Sequence, residues 1–309
     1  MFSHEPRLRG AFTALVTPFT STGELDERAL RNLIGWQIVS GIDGLVPCGT
    51  TGETPTLSPA EREIVIETTV QMARSRTDGR HVTVIAGTGT NDTDATIAAT
   101  RRAAELGADA ALVVAPYYNK PDQRMLEAHY RAVADEGGLP VVVYNVPGRT
   151  GVNVEAATLL RLAEHPRIVA VKEASGNLEQ IMTICRNRPE GFAVLSGDDS
   201  WTFPVLSLGG DGVISVVSNE IPGAMAELCA AARNGEWTAA REIHERFLPL
   251  MRANFMTTNP VPVKAALASM GLIEDYCRRP LLSLDAPERA RLVSIMDEVG
   301  LLAPVSDVA

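Results

Sequence analysis

The chain has 309 residues and a mass of 33.1 kDa, with 45% hydrophobic and 21% charged residues, a balance that suits one large domain, or a domain with an appendage, and excludes a disordered chain. Its formal net charge of −10 argues against nucleic acid or an anionic membrane as a general partner, though not against a small anionic substrate held by a few local cations. No apolar run is long enough to span a bilayer, the polar start MFSHEPRLRG has no signal-peptide core, and four scattered cysteines form no CxxC pair, so a reduced, cytoplasmic setting is expected.

Taken in chain order, eight short apolar runs recur: AFTALV (11–16), GLVPCG (44–49), HVTVIAG (81–87), AALVVAP (110–116), PVVVYNV (140–146), RIVAVKE (167–173), FAVLSG (192–197) and GVISVV (212–217). Each is continuous rather than alternating, the pattern of strands buried on both faces. Helical periodicity fills stretches between them, over 25–40, 58–75, 94–107 and 153–166. Ser58-Pro59 followed by Glu61 forms a capping signal, and Gly41 and Gly107 suit helix ends. Eight strands with intervening helices predict an α/β fold, a closed (β/α)8 TIM barrel. An open doubly wound sheet would show GxGxxG after the first strand, which here runs into TPFTSTG. Beyond about residue 223 only helical patterns remain, over 223–235, 237–255, 260–271 and 286–300. The expected division is a barrel catalytic domain, 1–232, and a C-terminal helical domain, 233–309.

In such a barrel the C-terminal ends of all strands share one face, and chemistry sits there. Those ends read CGTTGE, PYYNKP, YNVPGRTG, VKEASGN and SGDD. Glycines around Thr50 and Thr51 free backbone N–H groups to hold a carboxylate or phosphate, although the same loop serves as an ordinary strand-to-helix turn. Tyr144 ends one strand and Arg149 follows it with a guanidinium fork suited to carboxylates. Of the adjacent Tyr117 and Tyr118, extended geometry lets at most one face the barrel mouth. LGGDGVIS (208–215) has the composition of a phosphate loop, but its glycines precede the strand. No HExxH, EF-hand or His/Cys cluster is present and no histidine ends a strand, so no metal, no cofactor and no Ser-His-Asp triad is expected.

Only three lysines, Lys120, Lys172 and Lys264, stand against 25 arginines. Arginine cannot lose its proton at useful pH, whereas a desolvated lysine can act as a nucleophile. Lys172 follows IVAV directly at a strand end; the bland alternative is a side chain that snorkels to solvent. Lys120 reads as a loop residue, and Lys264, after NPVPV at a helix start, as a structural ion-pair partner. An amine gathered with threonines, tyrosines and an arginine points to Schiff-base chemistry on a keto acid, in which the iminium acidifies the adjacent methyl and yields an enamine nucleophile.

The five motifs, in this order and spacing, resemble the dihydrodipicolinate synthase family, relatives of N-acetylneuraminate lyase within the pyruvate-dependent class I aldolases. The resemblance runs from about Gly10 to Leu302. It implies that Lys172 binds pyruvate as a Schiff base and that Tyr144 relays protons, linked through Thr50 to Tyr118 from a neighbouring subunit. It further implies that Thr51 holds the pyruvate carboxylate and Arg149 the carboxylate of L-aspartate 4-semialdehyde. Gly197 and the Ile214 carbonyl would line the pocket of a homotetramer built as a dimer of dimers, on the route to diaminopimelate and lysine. The Thr50-Thr51 pair and Arg149 favour the synthase over the neuraminate lyases.

In lysine-inhibited members of that family, histidines and a glutamate contact the effector; here the corresponding positions are Pro59, Arg62 and Ala95, while Asn91 and Tyr117 match. Losing an anionic partner and gaining an arginine disfavours a cationic ligand, so weak or absent lysine feedback is expected. The competing readings are a related aldolase or dehydratase acting on 2-keto-3-deoxy sugar acids or N-acetylneuraminate, a phosphate-binding barrel enzyme, and a non-catalytic barrel that binds a keto acid.

Overall fold

Eight parallel strands pair in sequence order and close on themselves. They are β1 (Gly10–Ala14), β2 (Gly44–Val46), β3 (Thr83–Gly87), β4 (Ala110–Val114), β5 (Val141–Asn145), β6 (Ile168–Glu173), β7 (Ala193–Ser196) and β8 (Gly212–Ser215). The computed structural model describes residues 8–75 and 79–302. The first seven residues of the N-terminal segment and residues 303–309 of the expected C-terminal domain lie outside the described residues. Around the barrel run α1 (Glu27–Val39), α2 (Pro59–Arg74), α3 (Thr93–Glu105), α4 (Gln123–Glu136), the short α5 (Pro147–Thr150), α6 (Ala156–Ala163), α7 (Leu178–Asn187), α8 (Thr202–Ser207) and α9 (Pro222–Arg233). The C-terminal helices are α10 (Trp237–Ala253), α11 (Val261–Ser269) and α12 (Ala286–Glu298). The barrel reading holds.

The continuous apolar runs divide by alternation into two cores. Phe12, Val46, Leu112, Val142, Leu195 and Ile214 fill the barrel interior, while their neighbours pack outward against the helices. The interior ring of Phe12 is accommodated by Gly44, where a Cβ would lie 2.3 Å from the ring.

Local signals explain the helix ends. Ser58 and Glu61 make the reciprocal capping box at the start of α2, with bonds of 3.2 and 2.8 Å. Gly41 and Gly107 follow α1 and α3 with positive φ. The helix expected from 153 begins only at Ala156, because Asn145 Oδ1 captures the Val154 N–H at 2.9 Å and Gln123 the Glu155 N–H at 3.1 Å. The unexpected α5 starts at Pro147 and stops at Gly151, φ +70°. Among the described residues no helix is long and apolar enough to cross a membrane.

Candidate active site

The residues singled out in sequence converge on the C-terminal mouth of the barrel, with one exception. Tyr144 and Lys172 are directly opposed in the β5–β6 register. Alternation from Val142 and Ala170, both in the inner core, turns the two side chains into the barrel at its mouth end. The Lys172 ammonium nitrogen sits 4.3 Å from the centroid of the Tyr144 ring, within the reach of a cation–π contact. Lys172 is only 4% exposed, so it does not snorkel to solvent. Gly197, after β7, backs its stem: a Cβ there would lie 3.1 Å from Lys172 Cγ and 2.7 Å from Ala174 Cβ. Ile214 is fully buried in the same inner core.

A cleft of about 590 Å³ opens above this core, lined by Thr50, Tyr144 and Arg149 together with Thr88, Tyr117 and Asn259. Its wall continues outward along Pro59, Arg62 and Arg102. Arg149, on α5, forms no ion pair among the described residues, leaving its fork for a ligand carboxylate. Cys48 also lines the cleft, but burial pushes its thiol up to about 12 against a smaller opposing effect of Arg62, so it offers no thiolate nucleophile at neutral pH. Among the described residues no group of three or more His, Cys, Asp or Glu side chains is arranged to hold a metal ion.

The GTTGE loop forms a single 3-10 turn, Thr50–Gly52, in which the Gly52 and Glu53 N–H groups bond back to Gly49 and Thr50 carbonyls. The Thr50 and Thr51 N–H groups have no acceptor among the described residues, and two adjacent free N–H groups make an anion cradle. The Thr51 hydroxyl accepts a 3.0 Å bond from Asn259 Nδ2. Thr50 and Tyr144 share the cleft wall without a mutual hydrogen bond.

Tyr118 is the exception. It is 87% exposed, has φ +74°, and does not line the cleft of its own chain. Tyr117 beside it does, in keeping with the expectation that only one of the pair would face the mouth. Lys120 lies on the same loop; of the 208–215 glycines, Gly209 and Gly210 precede β8 and Gly212 opens it, so none follows the strand.

Several residues that shape the site escaped the sequence reading. Glu53, in the left-handed region at φ 53°, is buried with one carboxylate oxygen 2.6 Å from Lys264 Nζ and the other accepting the Arg278 N–H at 2.9 Å. Lys264 therefore is a structural ion-pair partner, and its target is the GTTGE loop. Asp199, the second acid of SGDD, accepts the Val216 and Val217 N–H groups at 3.0 and 2.8 Å and fixes the turn after β8. Burial raises its carboxyl to about 6, against the opposing pull of those hydrogen bonds. Behind Lys172, Glu173 is buried among Asn145, Ser175 and Gln180. The acid in GTTGE and the acids flanking Lys172 and Gly197 were visible as residues, but nothing local reveals their partners.

Comparison with known proteins supplies the frame for this geometry. Residues 7–299 match the Dihydrodipicolinate synthetase family. The chain is 51% identical over 297 residues to a 4-hydroxy-tetrahydrodipicolinate synthase of Koribacter versatilis, covering 96% of this chain and 97% of that one. It is similar to the crystal structure of dihydrodipicolinate synthase from Aquifex aeolicus, at 44% identity and a TM-score of 0.90 over 95% of this chain and 98% of that chain. The Cyanidioschyzon merolae enzyme, crystallised with lysine bound, superposes with a TM-score of 0.91 at 42% identity over 95% and 99% of the two chains.

Proposed function

The chain belongs to the dihydrodipicolinate synthetase family, and from that premise we propose that it condenses pyruvate with L-aspartate 4-semialdehyde to give 4-hydroxy-tetrahydrodipicolinate. The observation that carries this reading is the buried Lys172 amine opposed to Tyr144 at the barrel mouth. The neutral amine attacks the keto carbon of pyruvate; the resulting carbinolamine takes up a proton, water leaves and a cationic iminium forms. The iminium draws electrons from the methyl group, which loses a proton and becomes the enamine carbon that attacks the aldehyde. Tyr144, whose ring lies 4.3 Å under the amine, is the residue that passes protons in this reading. The Thr50 and Thr51 amides suit the pyruvate carboxylate, and Arg149 the second substrate's. Gly197 and the Ile214 carbonyl complete the wall around the adduct.

Completion of the proton path by Tyr118 of a neighbouring copy is part of the same proposal, supported by the 87% exposure of that ring. A homotetramer built as a dimer of dimers, a cytoplasmic setting, and the division into barrel 1–232 and helical segment 233–309 are likewise proposed. Lysine feedback is proposed to be weak, because Pro59 and Arg62 line the outer cleft and Ala95, on α3, offers no carboxylate to an ammonium ligand.

The test is intact-mass spectrometry after incubation with pyruvate and borohydride, comparing wild type with Lys172→Arg. A single pyruvyl adduct on wild type alone supports the reading, and its absence removes it. A panel of aldehyde acceptors then separates the semialdehyde from sugar acids. Mixing Tyr118→Phe with Lys172→Ala chains decides the subunit crossing, since only a shared site lets mixed dimers regain activity.

A further inference from the structure

The side chains behind the reacting pair are as ordered as those in front of it. In the β5–β6 register, Asn145 opposes Glu173 immediately beside the Tyr144–Lys172 pair. Alternation turns this second pair out of the barrel, under the helix layer, where both residues are almost fully buried. An aliphatic pair would fill such a position without the desolvation cost of a carboxylate.

Among the described residues, every hydrogen bond to the Glu173 carboxylate comes from a donor. Asn145 Nδ2 lies 3.1 and 3.3 Å from its two oxygens, the Ser175 N–H 2.8 Å, and Gln180 Nε2 3.3 Å. With donors at both oxygens, the arrangement fits the ionised form, although burial raises its carboxyl above the usual range. Asn145 is fixed in turn: its Oδ1 accepts the Val154 N–H at 2.9 Å, and its Nδ2 also reaches Asn153 Oδ1 at 2.9 Å. The backbone joins the same knot, with Ala174 N–H donating to the Asn145 carbonyl and Gly197 N–H to the Glu173 carbonyl, both at 2.8 Å. The ends of β5, β6 and β7 are thereby tied one residue from the amine. A register irregularity lies at the other end of the β5–β6 pair, at Val141/Val142, so the pairing is not held uniformly along its length.

We infer that Asn145 and Glu173 are positioning residues, a polar clamp on the outer face that holds the Lys172 amine in register over the Tyr144 ring. The inference rests on the Schiff-base reading of Lys172. Neither side chain touches a reacting atom. Their effect passes through the strand to the two residues that do, and reactions of this kind are sensitive to sub-ångström placement.

The pair allows a swap. Asn145→Asp sets two carboxylates together; Glu173→Gln sets two amides together and turns an N–H donor toward another donor. The double variant again has one carboxylate and one amide. The measurement is the rate at which saturating pyruvate gives borohydride-trapped adduct, read by intact mass, alongside kcat, KM and the thermal midpoint. Each single variant should slow adduct formation roughly ten- to hundredfold with a smaller change in KM for pyruvate. The swap should recover about tenfold over the product of the two single effects.

Adduct formation at the wild-type rate in folded single variants would overturn the clamp, as would a swap that merely multiplies the single defects. A rate that falls only with the folded fraction would show a structural role and overturn it too. Should neither single variant fold, Gln180→Met, which removes one donor from Glu173, decides: a slower adduct supports the clamp and an unchanged one overturns it. If wild type itself forms no adduct, the Schiff-base reading fails and the clamp with it, an outcome distinct from a reactive wild type with unaffected variants.

Discussion

Replacing Lys264 with methionine should destabilise this protein more than removal of any surface ion-pair partner. The Lys264–Glu53 pair is 2.6 Å long with side chains 0% and 1% exposed. Lys264 also donates to the Thr17 carbonyl at 2.9 Å and lies 4.3 Å over the Phe19 ring. Methionine keeps most of the volume, so the dominant loss is the charge left buried on Glu53, whose remaining bond is the one from Arg278. Removing one member of a buried pair costs about 3 to 5 kcal/mol. Arg101–Glu136, 3.3 Å apart with both side chains 56% exposed, is the internal control: Arg101→Ala should cost about 0 to 1 kcal/mol. Urea denaturation followed by circular dichroism measures both. The double variant Glu53→Gln/Lys264→Met should recover part of the loss, because it leaves no unpaired charge. A Lys264→Met cost below about 1 kcal/mol, the surface value, would refute the assignment of a stabilising role to this pair.

Further outcomes follow from other contacts. Gly197→Ala should cost roughly 1 to 3 kcal/mol of stability by overpacking and slow adduct formation, because the new methyl meets the Lys172 stem; unchanged single-turnover trapping would contradict this. His129 is buried with Nδ1 near Thr93 and, among the described residues, no partner for Nε2, and desolvation lowers it from 6.5 to about 4, against a smaller raising effect of Asp92. Between those values the folded state binds fewer protons than the unfolded one. Its contribution is therefore full above about pH 6.5 and is lost as the pH falls toward 4, by about 2 kcal/mol near pH 5. Denaturation of wild type and His129→Gln at neutral and acidic pH should show their stability difference shifting by that amount toward the variant, and a constant difference would count against it. Lysine titration at fixed pyruvate should leave the rate nearly unchanged; half-inhibition at micromolar lysine would defeat the argument from Arg62 and Ala95.

The strands were legible because each is a continuous apolar run, and eight of them in alternation with helices admit few architectures. The same continuity concealed which residues face inward: RIVAVKE carries no mark that Ala170 belongs to the inner core and Val171 to the outer one. The gathering of Lys172, Tyr144 and Arg149 at the barrel mouth was legible because each stands at a strand end or just beyond one. Glu53 and Lys264 were each visible, but their pairing spans 211 positions and no local pattern encodes it. The delayed start of α6 was missed for a similar reason, since the Asn145 side chain that holds the Val154 N–H lies in the preceding strand. Tyr118 shows the limit from the other side: its surroundings in an assembly are not a property of one chain.

The reach of Lys264 back to Glu53 also orders events in time. A ribosome adding about 5 to 20 residues per second makes Glu53 roughly 10 to 40 seconds before it makes the lysine 211 positions later. All eight strands are complete by Ser215, yet the turn carrying Thr50 and Thr51 still lacks its counter-charge, and Asn259 and Arg278 have not emerged. A nascent chain can thus hold all eight strands while the Thr50–Thr51 turn still lacks its buried partners. The buried contacts of this loop therefore wait on α11 and the segments that flank it, and not on closure of the barrel.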